Sequence, residues 1–442
     1  MKRFALVALL AAMLFGVASS ASAGTELKVK GHLDVYGMWS ANLMDHDTDV
    51  RDGDNYMTSQ RMRTFFTYVA NENLKAVLGF EIDNIWGNGP TADWGTDGKG
   101  NIEVKHAYLD FNFPDTDINV KAGLQYVALP GVFGNPVFED DAAAIIVSAP
   151  INEAFALAVG YTRGADSSTS VGNSPLVDGV DKDNMDMAFL AAPVTLDGFG
   201  ITPYFAYARI GENVNFAGQQ GVTSNARFTL DDGADIWVLG AHATLTMFDP
   251  LTFAADLIYG EGKDDDFETK GWYAALAASY KFDVLTATLF TTYGSGAKDD
   301  DDKDRYLPTL AEGWGLTPYL GGVRAFGTTW DSFATDNLGV GSDGTGLWTI
   351  GLALDDISFV DNLSHKLVLA YARGTGSKET SLFTKEDHGF EIYLVNKYMI
   401  YENLAAINEL GFFKGSSEVY DDLVGNDLDA SYFATIGFQY KF

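Results

Sequence analysis

The chain contains no cysteine. That absence excludes a disulfide framework, a thiolate nucleophile and a thiolate metal site. Basic residues are also scarce: 29 Lys and Arg stand against 61 Asp and Glu, a formal net charge of -32. Nucleic acid attracts Lys and Arg surfaces, so no nucleic acid partner is expected. The histidines, His32, His46, His106, His242, His365 and His388, show no His-x-x-x-His or His-Glu-x-x-His spacing for zinc. No Gly-x-Ser-x-Gly elbow and no phosphate loop is present. These gaps point away from an enzyme and lead to an expectation of no cofactor.

Long apolar runs are missing as well, except at the start. "MKRFALVALLAAMLFGVASSASA" carries Lys2 and Arg3, an apolar core from Phe4 to Val17, and Ala21-Ser22-Ala23. This is the pattern of a cleaved secretory signal, so residues 1–23 read as a signal peptide and 24–442 as one exported domain. Beyond it no uninterrupted apolar stretch approaches the roughly 20 residues that a membrane helix needs.

What is abundant is glycine and aromatic residues, with 47 Gly, 30 Phe, 21 Tyr and 8 Trp. They fall into alternation. The chain closes on "YFATIGFQYKF", where Phe442, Tyr440, Phe438, Ile436, Ala434 and Tyr432 share one face and Lys441, Gln439, Gly437, Thr435 and Ser431 the other. The same period of two recurs in eighteen segments between 27–43 and 431–442, the least apolar being 142–150 and 404–414. Sixteen strands is the alternative count. Tight turns such as "NEN" at 71–73 and "EN" at 402–403 alternate with longer links rich in Gly, Asp, Asn and Ser. Short turns at one end and long loops at the other describe an all-β transmembrane antiparallel barrel, because in lipid strands persist only when closed on themselves. Tyr161, Tyr207, Tyr259, Tyr293 and Tyr371 recur near the loop ends of strands, as an interfacial girdle would.

In its leader, alternating segments, acidic loops and terminal Phe442, the chain resembles the trimeric outer-membrane porins, and most of all the homotrimeric porin family of sulfate-reducing bacteria. The resemblance implies a general diffusion porin in the outer membrane of a Gram-negative bacterium, passing small hydrophilic solutes and ions. It also implies a homotrimer, a lipopolysaccharide environment, and barrel-assembly machinery that reads Phe438, Tyr440 and Phe442. A sugar- or organic-acid-specific channel and a non-conducting adhesion barrel are the alternatives. The latch between copies would be the second loop, 87–100. The third long loop, "LPGVFGNPVFEDDAA" at 129–143, would fold into the lumen.

Alternation turns Arg61, Arg63, Lys75, Glu81, Asp83, Lys121 and Gln125 inward. With the loop inserted, Arg61, Arg63 and Lys121 would face Glu139, Asp140 and Asp141 across a constriction, and the expected selectivity is a weak cation preference. Aromatics of the loop at 295–346, Tyr306, Trp314, Tyr319, Phe326, Trp330 and Phe333, could line a vestibule. A Tyr-x-Arg pattern at Tyr161/Arg163, Tyr207/Arg209 and Tyr371/Arg373 places guanidinium groups where lipopolysaccharide phosphates lie. "DHDTDVRDGD" at 45–54 starts at calcium-loop spacing but has Val50 where Gly is required and Tyr56 where Glu should close the loop. Only loose divalent-ion binding by such acidic loops is expected.

Overall fold

The computed structural model describes residues 26–42, 54–87, 101–166, 184–211, 233–264, 268–297, 306–311, 313–321, 325–326, 344–377, 383–417 and 428–442. The segments at 45–53 and 298–305, most of the expected latch at 87–100, and Trp330 and Phe333 lie outside them.

The strands follow the alternating segments. They are β1 (Glu26–Ala41), β2 (Asp54–Asn71), β3 (Leu74–Ile85), β4 (Asn101–Asn112), β5 (Asn119–Ala128), β6 (Glu139–Pro150) and β7 (Ala156–Asp166). Then come β8 (Asn184–Ala191), β9 (Val194–Leu196), β10 (Phe199–Ile210), β11 (Ala234–Phe248), β12 (Leu251–Lys263), β13 (Glu268–Lys281) and β14 (Thr286–Gly294). The last five are β15 (Leu347–Val360), β16 (Leu363–Gly374), β17 (His388–Tyr401), β18 (Leu404–Ser416) and β19 (Ser431–Lys441). Both β8 and β9 pair with β10 and form one stave, interrupted at Pro193, which has no N–H for the ladder. That makes eighteen antiparallel staves, including both weakly apolar segments.

Closure comes from β1, which pairs with β2 on one side and with β19 on the other, Leu33 opposite Tyr440 and Ala41 opposite Tyr432. No edge is left to satisfy in lipid. Two-residue turns at Glu72-Asn73, Asp249-Pro250, Asp361-Asn362 and Glu402-Asn403 join strands at one end, and all the long links lie at the other. Asn362 takes a φ of 63°, which Asn tolerates better than most residues.

Burial is inverted relative to a soluble protein. Ile436 is 70% exposed and Phe438 53%, whereas Glu409, Glu391 and Asp34 are almost fully buried. Large apolar side chains outside and carboxylates inside are what a barrel with a lipid-facing wall requires. The girdle tyrosines lie on the outer face and pair with neighbours: Tyr259 with Trp237 at 5.5 Å, Tyr293 stacked on Trp272 at 4.6 Å, and Tyr371 edge-on to Trp348 at 6.0 Å.

Candidate functional site: a charged lumen wall and two inserted loops

Along β2, β3 and β4 the inward positions carry charge. Arg61 opposes Asp83 and Arg63 opposes Glu81 in register. The Arg61 guanidinium lies 3.1 Å from Glu81 and 3.6 Å from Asp83, and Arg63 donates its Nε–H to Glu81. Lys105 extends this patch, 3.4 Å from Glu81 and 2.5 Å from Asp141, and His106 lies 3.1 Å from the same Asp141 carboxylate. Lys105 reaches inward because a β-bulge gives β4 an extra residue: His106 opposes Gly79 and Val104 opposes Phe80.

Asp141 meets that patch because the β5–β6 hairpin leaves the wall. β4 and β5 pair only as far as Ala107 opposite Leu124, while β5 and β6 continue to Ala128 opposite Glu139. The upper part of the hairpin therefore bends into the lumen and brings Asp141 against Lys105 and His106 of β4, while Glu139 turns to the loop and accepts the Asn135 N–H at 3.0 Å. Gly123 sits at the bend with φ of 130°, and a Cβ there would fall 2.2 Å from the carbonyl oxygen of Ala107.

Beyond the hairpin, residues 129–138 cross the lumen to the far wall. Val132 donates its N–H to Asp256 on β12 at 2.7 Å, and the other Asp256 oxygen lies 2.7 Å from His242 Nδ1. The Asn135 side chain donates to the Tyr204 hydroxyl at 3.0 Å, and Phe133 packs edge-on against Phe290 at 5.8 Å. A second inserted segment lies alongside. Leu310 donates to the Val137 carbonyl at 2.9 Å, Gly313 to Asn135 at 2.9 Å and Gly315 to Phe133 at 3.0 Å, and Glu139 donates to Ala311 at 2.7 Å. This segment has its own wall anchors. Trp314 donates to the Tyr273 hydroxyl at 3.0 Å, Thr317 donates to the buried Glu391, and Tyr319 stacks on Phe413 at 5.2 Å. The two loops form one hydrogen-bonded diaphragm, tied to the staves from β10 to β18 and facing the charged wall of β2–β4.

Against the sequence reading, the acidic trio belongs to the start of β6, and the loop proper ends at Phe138. Arg61 and Arg63 pair on their own wall with Glu81 and Asp83, and Asp141 joins them through Lys105. Glu139 accepts the Tyr126 hydroxyl at 2.6 Å, and exposed Asp140 accepts the Asp141 N–H at 2.7 Å. Lys121 stands apart, opposite Asp110 near the turn end, where Lys75 lies 3.0 Å from the same carboxylate. Gln125 is buried and donates to the Ala144 carbonyl at 3.2 Å, so it packs the hairpin instead of facing water. Tyr306, Trp314, Tyr319 and Phe326 are buried too, 7%, 1%, 0% and 8% exposed; they wedge the second loop into the barrel and do not line a vestibule. Lys105 and His106 were not legible from alternation, since the bulge resets its phase.

A closed eighteen-stave barrel with a lipid-facing exterior, charged inner wall and loops folded inside is the architecture of an outer-membrane channel. Residues 5–309, more than half of the chain, match the model of the Gram-negative porin family. The chain belongs to that family and is an outer-membrane channel for small solutes. Among solved structures it is similar to OccAB3 of Acinetobacter baumannii, with TM-score 0.53 and 11% identity over 94% of this chain and 99% of that one. It is likewise similar to a BenF-like porin from Pseudomonas fluorescens Pf-5, with TM-score 0.54 and 12% identity over 94% and 99%. OccK11 (OpdR) of Pseudomonas aeruginosa gives 0.51 and 11% over 94% and 96%. At such identities these likenesses concern the fold. None of the curated proteins matches the chain in sequence.

Proposed function

We propose that the channel is a passive diffusion porin with a weak preference for cations, and that its eyelet lies between the β2–β4 wall and the inserted β5–β6 tip. The observation that carries this reading is the composition of the patch at that gap. Arg61, Arg63 and Lys105 meet Glu81, Asp83 and Asp141 within a chain of contacts of 3.6 Å or less, and Asp34 opposes Arg61 and Glu103 opposes Glu81 beside them. Paired charges of both signs at the gap act on a solute's dipole as well as on its charge. Glu139 and Asp140 add two formal negative charges at the same tip, which tips the sum toward cations.

In this reading residues 1–23 direct export, the barrels assemble as homotrimers, Phe438, Tyr440 and Phe442 serve the assembly machinery, and the girdle contacts lipopolysaccharide. Neither a cofactor nor a catalytic role is invoked. The decisive experiment is single-channel recording in a planar bilayer under a salt gradient. Triplet current steps with a small cation-directed reversal potential support the proposal; folded, inserted barrels that pass no current refute it.

One observation favours a second reading, a channel selective for one solute class. Two loops occupy the lumen where one was expected, bonded to each other and anchored by buried aromatic side chains. Concentration-dependent block of the ion current by a sugar or an organic acid would distinguish it from general diffusion.

A further inference from the structure

At the end of the barrel where the turns lie, the inner wall from β16 through β19 to β2 gathers cations. Lys366 on β16 shares the inward face with Val368 and Ala370, Lys397 on β17 with Tyr393 and Val395, and Lys441 on β19 with Thr435 and Gln439. Lys397 stands opposite Ser364, which makes it a diagonal neighbour of Lys366 across the ladder. Lys441 opposes His32 on β1, and His32 opposes Arg63 on β2, so this row leads in register to the eyelet. The N–H of Lys441 donates to the Asn403 carbonyl at 2.8 Å and fixes the depth of the group at the turn-side mouth. The turns themselves are acidic, with Glu72, Glu153, Asp249, Asp361 and Glu402. The lysines are a local reversal of sign inside that rim.

Most acids on this face are engaged. Asp355 lies 3.1 Å from Lys366, Asp34 lies 3.6 Å from His32, and Glu81 meets Arg61 and Arg63. Buried Glu409 accepts the hydroxyls of Tyr393 and Thr435. The terminal carboxyl group of Phe442 accepts the Gly31 N–H at 2.8 Å. Among the described residues, Lys397 and Lys441 have no carboxylate within 4 Å. Lys397 instead feels the charges of Lys441 and Lys366, with Asp356 opposing them at longer range. His32 Nε2 is buried and makes no hydrogen bond among the described residues. Like charges repel, and partial loss of hydration adds to the cost, so such a group is stabilised by an anion supplied from water.

We propose that Lys397 and Lys441, with the His32 ring lying in register between Lys441 and Arg63, form a binding site for a small dicarboxylate on the turn side of the eyelet. The inference rests on the channel reading above and names the solute class that its second form leaves open. Two ammonium groups without acids match two carboxylates; a monocarboxylate satisfies one of them and a neutral sugar neither. Lysine presents a point charge on a flexible stem, which follows a flexible solute where a guanidinium would fix a planar one. Binding at this mouth is separate from selectivity at the gap. The reversal potential reports the charges around Lys105 and Asp141, whereas occupancy of the mouth interrupts the current.

Single-channel recording in a planar bilayer tests it, with succinate, acetate or sulfate added at fixed ionic strength. Succinate should interrupt the wild-type current in a concentration-dependent way, and acetate should not; equal block by the two would overturn the proposal. Lys397→Gln and Lys441→Gln should each weaken the succinate block by about threefold, and the double variant by about tenfold. Lys28→Gln removes a cation that lies 3.4 Å from Glu26 at the same mouth and should leave the block unchanged. An equal loss in that variant would reduce the effect to diffuse charge and overturn the site. Lys397→Arg/Lys441→Arg keeps both charges and should keep the block, and its loss from barrels that remain heat-modifiable counts against the charge pairing. Sulfate acting as strongly as succinate would assign the lysines to divalent oxyanions at large and overturn the dicarboxylate reading. Barrels that conduct yet ignore succinate overturn the site and leave the channel reading intact, whereas barrels that pass no current refute the reading on which the site rests.

Discussion

Lys105 Nζ lies 2.5 Å from Asp141 Oδ2, and this pair joins the barrel wall to the tip of the inserted hairpin. Both side chains are partly exposed to the lumen, at 24% and 21%. Neutralising either member leaves its partner's charge uncompensated at the gap. Lys105→Met should therefore move the reversal potential toward cations, and Asp141→Asn toward anions. A unit charge a few ångströms from the ion path in screened water changes the permeability ratio by about two- to fivefold. Bilayer recordings under a salt gradient read both shifts; movement in the same direction for the two variants would show that the pair does not border the ion path.

The position of Asp141 in turn depends on the bend at Gly123. With φ at 130° and the Ala107 carbonyl oxygen 2.2 Å from the place of a Cβ, Gly123→Ala must either strain the backbone or straighten the hairpin. The cost is on the order of 1–3 kcal/mol. The expected result is a lower temperature for loss of the compact barrel in a gel-shift melt, together with an altered reversal potential because Asp141 moves away from Lys105. A wild-type melt and wild-type selectivity would show that the hairpin bends elsewhere.

Much of this architecture was legible in the residues themselves. Alternation found every stave, even the weakly apolar ones that became β6 and β18, because lipid outside and water inside impose the period of two regardless of strand strength. Facing within the wall was accessible too: Arg61, Arg63, Glu81 and Asp83 were all expected inward, and the tight turn between β2 and β3 puts them side by side. Three features were hidden. The bulge at Lys105 breaks the phase that alternation relies on. The bend at Gly123 depends on a positive φ, which a glycine in a strand permits without announcing it. The insertion of residues 306–311, 313–321 and 325–326 rests on contacts such as Thr317 with Glu391 and Leu310 with Val137, separated by tens to more than a hundred residues of chain, and no local pattern encodes them.

The diaphragm should respond as one unit. Asp256→Ala removes the acceptor of the Val132 N–H and the partner of His242, and Thr317→Val removes the hydroxyl that anchors the second loop to Glu391. Losing such a buried anchor costs about 1–3 kcal/mol. Each variant should increase single-channel conductance and admit larger neutral polymers. Because the loops bond to each other through Val137, Asn135 and Phe133, the double variant should fall short of the sum of the two effects. Strict additivity would mean that the loops move independently.

The last residue closes the seam. Gly31 donates its N–H to the Phe442 carbonyl at 2.8 Å, and Phe442 donates back to the Gly31 carbonyl at 3.0 Å. The Phe442 ring stacks on Tyr440 with centroids 5.8 Å apart and covers Gly31, where a Cβ would fall 2.8 Å from the ring. Deleting Phe442 removes both bonds at about 1 kcal/mol each; Phe442→Ala keeps them and loses only the ring. In detergent refolding the deletion should therefore lower the melting temperature more than Phe442→Ala does. Assembly in cells separates packing from signalling. If the terminal ring is also read by the assembly machinery, Phe442→Ala should reduce the yield of folded barrel in the outer membrane far more than it reduces refolding in vitro. Equal losses in the two settings would leave Phe442 with a packing role alone.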